Sequence, residues 1–200
     1  YLPMSAMRDF RARLREDILL VLDAAYVEYV TASDYGDPAD LVRQNQNVVM
    51  CRTFSKIHGL AAVRLGWCYA PKAVAEVLNR VRGPFNVNSA AQAAGVAAIN
   101  DKAHQERSRA HNAHWLPWLT AEIRSLGLEV PPSQGNFILV RFPAEAGRDS
   151  AAAIEHLNAH GIIPRRMAAY GLPDCLRITV GLEEDNQAVV AALREFMERA

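Results

Sequence analysis

The chain is 200 residues long, half of them hydrophobic, with 22 lysines and arginines balanced by 22 aspartates and glutamates. That length allows one large domain or two small ones, and the zero net charge gives no support for a nucleic-acid or membrane-surface partner, which a basic excess would favour. No apolar run approaches the roughly 18 residues of a bilayer span, no signal-peptide pattern opens the chain, and Cys51, Cys68 and Cys175 lack metal-ligand spacing and read as reduced core residues of a cytoplasmic protein.

In chain order, Met4 to Arg15 carries charged and apolar residues at helical spacing and reads as a surface helix. Ile18 to Leu22 is a continuous apolar run, the pattern of a parallel strand buried on both faces, and it leads into Asp23-Ala24-Ala25-Tyr26. Ser33 to Asn47 is polar, with Gly36 and Pro38, and reads as a loop with room for a short helix. Val48 to Cys51 is the next strand and Val63 to Ala70 a third, ended by Pro71. Lys72 to Arg82 is helical by pattern and Gly83-Pro84 breaks it. Asn88 to Ile99 is an alanine-rich helix capped by Asn88 or Ser89. Asp101 to Leu126 is a long charged helix that Pro117 kinks or restarts.

Beyond it the pattern changes. Asn136 to Phe142 is a strand, Asp149 to His160 a helix with Gly161 as its C′ residue, and Ile162-Ile163 a short strand or edge before Pro164. Leu176 to Val180 alternates as a strand, and Glu183 to Ala200 is a helix with acidic residues in its first turn, favourable to its dipole. Alternating strands and helices make residues 1–100 an α/β layer, followed by a linking helix and a small α+β domain over 101–200. The chain opens at Tyr1 with no initiator Met and runs almost at once into a strand, so it reads as part of a longer protein.

The residues fit for chemistry gather around Thr53-Phe54-Ser55-Lys56. Alone, Lys56 is an ordinary solvated lysine. Its neighbours change that reading. The Thr53 and Ser55 hydroxyls and the forked donors of Arg64, placed on the adjoining strand, make a phosphate clamp, and an amine beside a phosphorylated aldehyde is a Schiff-base nucleophile. Asp23 ends a strand, where open α/β sheets bind ligands, although an aspartate there is as readily a turn former or helix cap. A carboxylate can keep a pyridine nitrogen protonated so that the ring serves as an electron sink, and the Tyr26 phenol could tune the imine. His58 reads as structural or peripheral. His104, His111 and His114 cannot share one helix face and read as solvated, with no metal site among them. Trp115 and Trp118 read as packing residues.

Asp23-Ala-Ala-Tyr26, Thr53-Phe-Ser-Lys56 and Arg64-Leu-Gly-Trp67, in that order, resemble the fold-type I aminotransferases that use pyridoxal 5′-phosphate. Gly161-Ile-Ile-Pro-Arg165-Arg-Met, Tyr170-Gly-Leu-Pro and Leu176-Arg177-Ile-Thr-Val-Gly181 are similar to the histidinol-phosphate aminotransferase branch, and the resemblance runs through essentially the whole chain. It implies an α/β large domain of the aspartate aminotransferase type, here partial, plus a small α+β domain. It implies that Lys56 forms the cofactor aldimine and moves protons, that Asp23 holds the pyridine nitrogen and Tyr26 the 3-oxygen, and that Thr53, Ser55 and Arg64 bind the phosphate. Arg177 would take the acidic end of the substrate, Arg165 a substrate phosphate, with Arg166 competing for that role, and Asn136 would face the substrate pocket. The implied activity is ping-pong transamination of L-histidinol phosphate with 2-oxoglutarate in histidine biosynthesis, by a cytoplasmic homodimer. An aromatic aminotransferase, a phospho-amino-acid decarboxylase and a non-catalytic cofactor-binding regulatory domain are the alternatives. In that family an Asn-Pro-Thr-Gly stretch, a phosphate-binding turn and a ring-stacking aromatic precede the position of Tyr1.

Overall fold

A computed structural model describes residues 1–198. The last two residues of the expected terminal helix, Arg199 and Ala200, lie outside the described residues. The chain divides into two compact units, Tyr1–Arg109 and Ala110–Ala200. No helix among the described residues is long and apolar enough to cross a membrane.

In the first unit, α1 (Met4–Arg13) is followed by β1 (Leu20–Asp23), a 3-10 turn (Val27–Tyr29), α2 (Ala39–Gln44), β2 (Val48–Thr53), β3 (Gly66–Tyr69), α3 (Lys72–Val81) and α4 (Ser89–Asn100). β1 and β2 run parallel, with Leu20 opposite Val48 and Asp23 opposite Cys51, while β3 is antiparallel to β2 and sets Gly66 opposite Thr53. Val48, Val49 and Met50 in the central strand are all buried, as a parallel strand covered on both faces requires. Val48 and Met50 pack with Leu41 and Val42 of α2 and Met7 of α1, and each such burial favours folding by roughly 1.5–3 kcal/mol. β1 departs from the expected doubly buried strand: it lies at one end of the sheet order and Val21 is 55% exposed. β3 is shorter than the apolar run that announces it, because Val63 and Arg64 belong to the turn before it. Cys68, on β3, is exposed and so is not a core residue, whereas Cys175 is buried and Cys51 half-buried.

α5 (Lys102–Ser125) begins in the first unit and continues into the second without a restart at Pro117. The second unit adds β4 (Phe137–Arg141), α6 (Ser150–Ala159), β5 (Arg165–Arg166), β6 (Cys175–Thr179) and α7 (Glu183–Glu198). Its sheet has the order β4-β6-β5, antiparallel throughout. Ile138 and Val140 of β4 and Leu176 and Ile178 of β6 turn one face into a core completed by Leu119 and Ile123 of α5, Leu157 of α6 and Leu193 of α7. The edge strand is Arg165–Arg166, not Ile162-Ile163, and Ile163 is 86% exposed. Those isoleucines lie in the chain reversal that ends α6, where Gly161 takes φ 74° and Ile162 N–H donates to Leu157 O at 2.9 Å.

Candidate functional site

β1 and β2 end side by side because they are parallel, and their carboxyl ends present the first group of candidate residues. Ala24 N–H donates to Cys51 O at 3.0 Å, which carries the pairing past Asp23. Asp23 is exposed, and its Oδ1 accepts from Ala25 N–H at 3.1 Å. The turn-forming role is thus real and occupies one carboxylate oxygen. Lys56 Nζ stands 4.9 Å from the centre of the Tyr26 ring, a cation–π distance. Amine, phenol and carboxylate are therefore delivered by the ends of neighbouring strands.

The loop carrying Lys56 is closed by its own backbone. Phe54 N–H donates to Leu65 O at 3.1 Å, Leu60 N–H to Phe54 O at 2.9 Å and Gly59 N–H to Lys56 O at 2.9 Å. Gly59 sits at φ 70°, a conformation that a side chain would strain. Thr53 Oγ1 accepts from Ser55 N–H at 3.0 Å, tying the two hydroxyl residues into one turn. Arg64 corrects the sequence reading. It lies in the turn before β3 rather than on it, at φ 58°, and its Nη1 donates to Ala61 O at 2.6 Å. A non-glycine residue held there costs about 1–3 kcal/mol, a strain that is found at functional turns.

Three supporting contacts escape a local reading because each joins residues far apart in the chain. His104 Nε2 donates to Ile57 O at 3.0 Å and Asn88 Nδ2 to Val63 O at 3.3 Å, so α5 and α4 hold both limbs of the loop. Asn88 also caps α4, its Oδ1 accepting from Ala91 N–H at 2.8 Å. A Cβ at Gly95 would come within 2.4 Å of Leu65 Cδ2, so a side chain there would displace the loop's own. His58 stacks on Phe54 with ring centres 4.8 Å apart, and burial pushes its pKa below the usual imidazole value, favouring the neutral ring. His104 and His111 are not simply solvated, since His111 Nε2 donates to Gly181 O at 2.8 Å; His114 is exposed.

In the second unit, Arg165 and Arg177 face each other across the β5–β6 pair. Like charges directly opposite are unfavourable in a sheet, so the pair needs compensation. Arg177 lies over the Phe137 ring at 4.9 Å, and its buried Nε has no hydrogen-bond partner. Arg165 Nη2 donates to Tyr170 OH at 3.0 Å. Both arginines line a cleft of about 490 Å³ with Ile162, Pro164 and Thr179. Two arginines lining one cleft, one with an unsatisfied donor, make a site suited to an anion. Asn136 is half-buried just before β4, and its carbonyl accepts from Val180 N–H at 2.9 Å. Nearby, the buried Asn112 donates to Gly135 O at 3.1 Å, and Asn186, 1% exposed, exchanges hydrogen bonds of 2.9 and 3.0 Å with both backbone groups of Gly181. These two asparagines fix the turns that flank β4 and β6.

The profile of the aminotransferase class I and II family matches residues 2–193. The histidinol-phosphate aminotransferase of Paramagnetospirillum magneticum is 57% identical over 98% of the chain, and that of Rhodopseudomonas palustris 50% identical over the same share. The chain spans about half the length of these curated relatives, 54% of each. The crystal structure of histidinol-phosphate aminotransferase from Sinorhizobium meliloti in complex with pyridoxal 5′-phosphate superposes with a TM-score of 0.89 at 28% identity, over all of this chain and 54% of that one.

Proposed function

This chain belongs to the aminotransferase class I and II family, and from that premise we propose that it is part of a pyridoxal-phosphate-dependent transaminase acting on L-histidinol phosphate, with 2-oxoglutarate as acceptor. The observation that carries the reading is the gathering of Asp23, Tyr26 and Lys56 at the carboxyl ends of β1 and β2, with Lys56 Nζ 4.9 Å from the Tyr26 ring centre. The donor set suits the cofactor. Asp23 would hold the pyridine nitrogen, Tyr26 the 3-oxygen, and the Thr53 and Ser55 hydroxyls with Arg64 the phosphate dianion. Arg64 would reorient its guanidinium, which as described is given to Ala61 O. When bound, pyridoxal phosphate supplies an electron sink for a carbanion at the amino-bearing carbon.

Lys56 would hold the aldehyde carbon until the donor's amine displaces Nζ, and the freed amine would then take the proton from the donor's amino-bearing carbon and pass it to the former aldehyde carbon. Asp23 would keep the ring nitrogen protonated while Lys56 does so. Arg177 and Arg165 would bind the anionic end of each substrate, a phosphate in the amino donor and a carboxylate in the acceptor. Two substrates taken in turn by one site give ping-pong kinetics. Cytoplasmic location and a homodimer belong to the same reading.

The test is a panel of amino donors offered to the full-length protein with 2-oxoglutarate. Histidinol phosphate should be the donor with the highest kcat/KM, and Arg165→Ala should lower its turnover more than that of an aromatic amino acid. A better aromatic donor, unaffected by that change, would make the enzyme an aromatic aminotransferase. A yellow protein that no donor bleaches would be a binding module.

A further inference from the structure

A second cluster lies where α6 packs on α7, and its His160 also borders the cleft that Arg165 and Arg177 line. His156 and His160 stand four residues apart on one face of the end of α6, and Glu195 comes from α7. One ligand atom from each lies within 4.8 Å of the others. We infer that His156, His160 and Glu195 form a binding site for a divalent transition-metal ion of the zinc type.

The hydrogen bonds around the rings support this. His160 Nδ1 is 2.9 Å from His156 O, and His156 Nε2 is 2.9 Å from Ala192 O. A carbonyl can only accept, so these two nitrogens donate, and His160 Nε2 and His156 Nδ1 are the nitrogens left for a metal. A metal-ligating histidine is normally oriented in this way, with its second nitrogen donating to a carbonyl or carboxylate. His160 Nε2 then faces Glu195 Oε2 at 3.3 Å. Two lone pairs at that distance repel unless a proton or a cation lies between them. Ligands about 2.0–2.1 Å from a tetrahedral metal are about 3.3–3.4 Å apart, so this pair already has the spacing of a tetrahedral edge. His156 offers a ring nitrogen within 4.8 Å of the other two ligand atoms, so a side-chain adjustment would complete the set. His160 and Glu195 side chains are each 39% exposed, which leaves an entry path and room for a water as fourth ligand. Imidazole with carboxylate selects zinc, copper, nickel or cobalt over magnesium or calcium.

The experiment is titration of tag-free, full-length protein with Co²⁺, followed by calorimetry and visible absorption, then displacement by Zn²⁺. One Co²⁺ per chain should bind with the intense visible bands of four-coordinate nitrogen and oxygen ligation, Zn²⁺ should remove them, and Zn²⁺ should raise Tm. His160→Gln and Glu195→Gln, both at partly exposed positions, should each weaken binding at least about 10-fold and abolish the Tm rise. Absence of the bands in the parent protein, as expected of a bare ion pair, would overturn the site. So would unchanged affinity in both variants, which would put the metal elsewhere. Circular dichroism of each variant confirms that lost binding is not lost folding.

Discussion

The two sheets place their candidate site residues differently. In the first, Lys56 and its companions lie beyond the strand ends, and the central strand itself, Val48 to Met50, is wholly buried. In the second, Arg177 stands in the middle of β6, between the buried Leu176 and Ile178. Sheet chemistry explains the contrast. A parallel strand covered on both faces has no free face for a polar group, so chemistry moves to its carboxyl end. An antiparallel strand with one face in the core can carry an arginine on the other. The lesson is that the first site is separable from its scaffold, while the second shares residues with it.

The largest expected effect is at the separable site. Lys56→Ala should lower transamination by the full-length protein by 10²–10⁴-fold or more, with Tm unchanged because the side chain holds no strand together. A large fall in Tm would show that the loop is structural and would break the contrast. Next, in the second sheet, Leu193→Ala should cost about 2–5 kcal/mol in denaturant unfolding, since Leu193 is fully buried. Val21→Thr, at an exposed position of β1, should change stability by no more than about 0.5 kcal/mol. Arg177→Leu sharpens the comparison most directly. Turnover of anionic substrates should fall on the order of 10–100-fold, matching charge-assisted hydrogen bonds of about 1.5–3 kcal/mol. Stability should hold or rise by up to about 1 kcal/mol as the like-charge pair is relieved. Asn88→Ala should cost about 1 kcal/mol through the lost cap and loosen the Val63 limb of the loop.

The smallest effect is a pH dependence. The folded-state pKa of His58 lies below its unfolded value because burial disfavours the charged ring. The unfolded chain therefore binds the proton more readily, and stability falls as pH drops through the unfolded value of about 6.5. His58→Phe should lose less stability between neutral pH and the lower, folded-state pKa than the parent. Equal losses in both proteins would place the acid sensitivity elsewhere.

Much of the fold was legible. The apolar runs at Val48 and at Phe137 mark strands, Asn88 marks a helix start and Gly161 a helix end, because each signal acts within a few residues. β3 and β5 were harder. Val63 extends an apolar run yet lies in a turn, and Ile162-Ile163 looks like a strand but only reverses the chain. In both places the strand is chosen by its partner: Gly66 by pairing with Thr53, Arg165 by pairing with Arg177.

By itself the sequence determined which residues could do chemistry, since an amine, a phenol, a carboxylate, hydroxyls and arginines are properties of side chains and their short-range order. Tertiary structure alone decided which of them meet. It set Lys56 against Tyr26 across thirty positions of the chain. It put Arg64 in a left-handed turn rather than a strand, paired Arg165 with Arg177, and brought Glu195 to two histidines of another helix. Those pairings depend on strand register and helix packing, which are fixed by burial of the core and not by the residues beside each site.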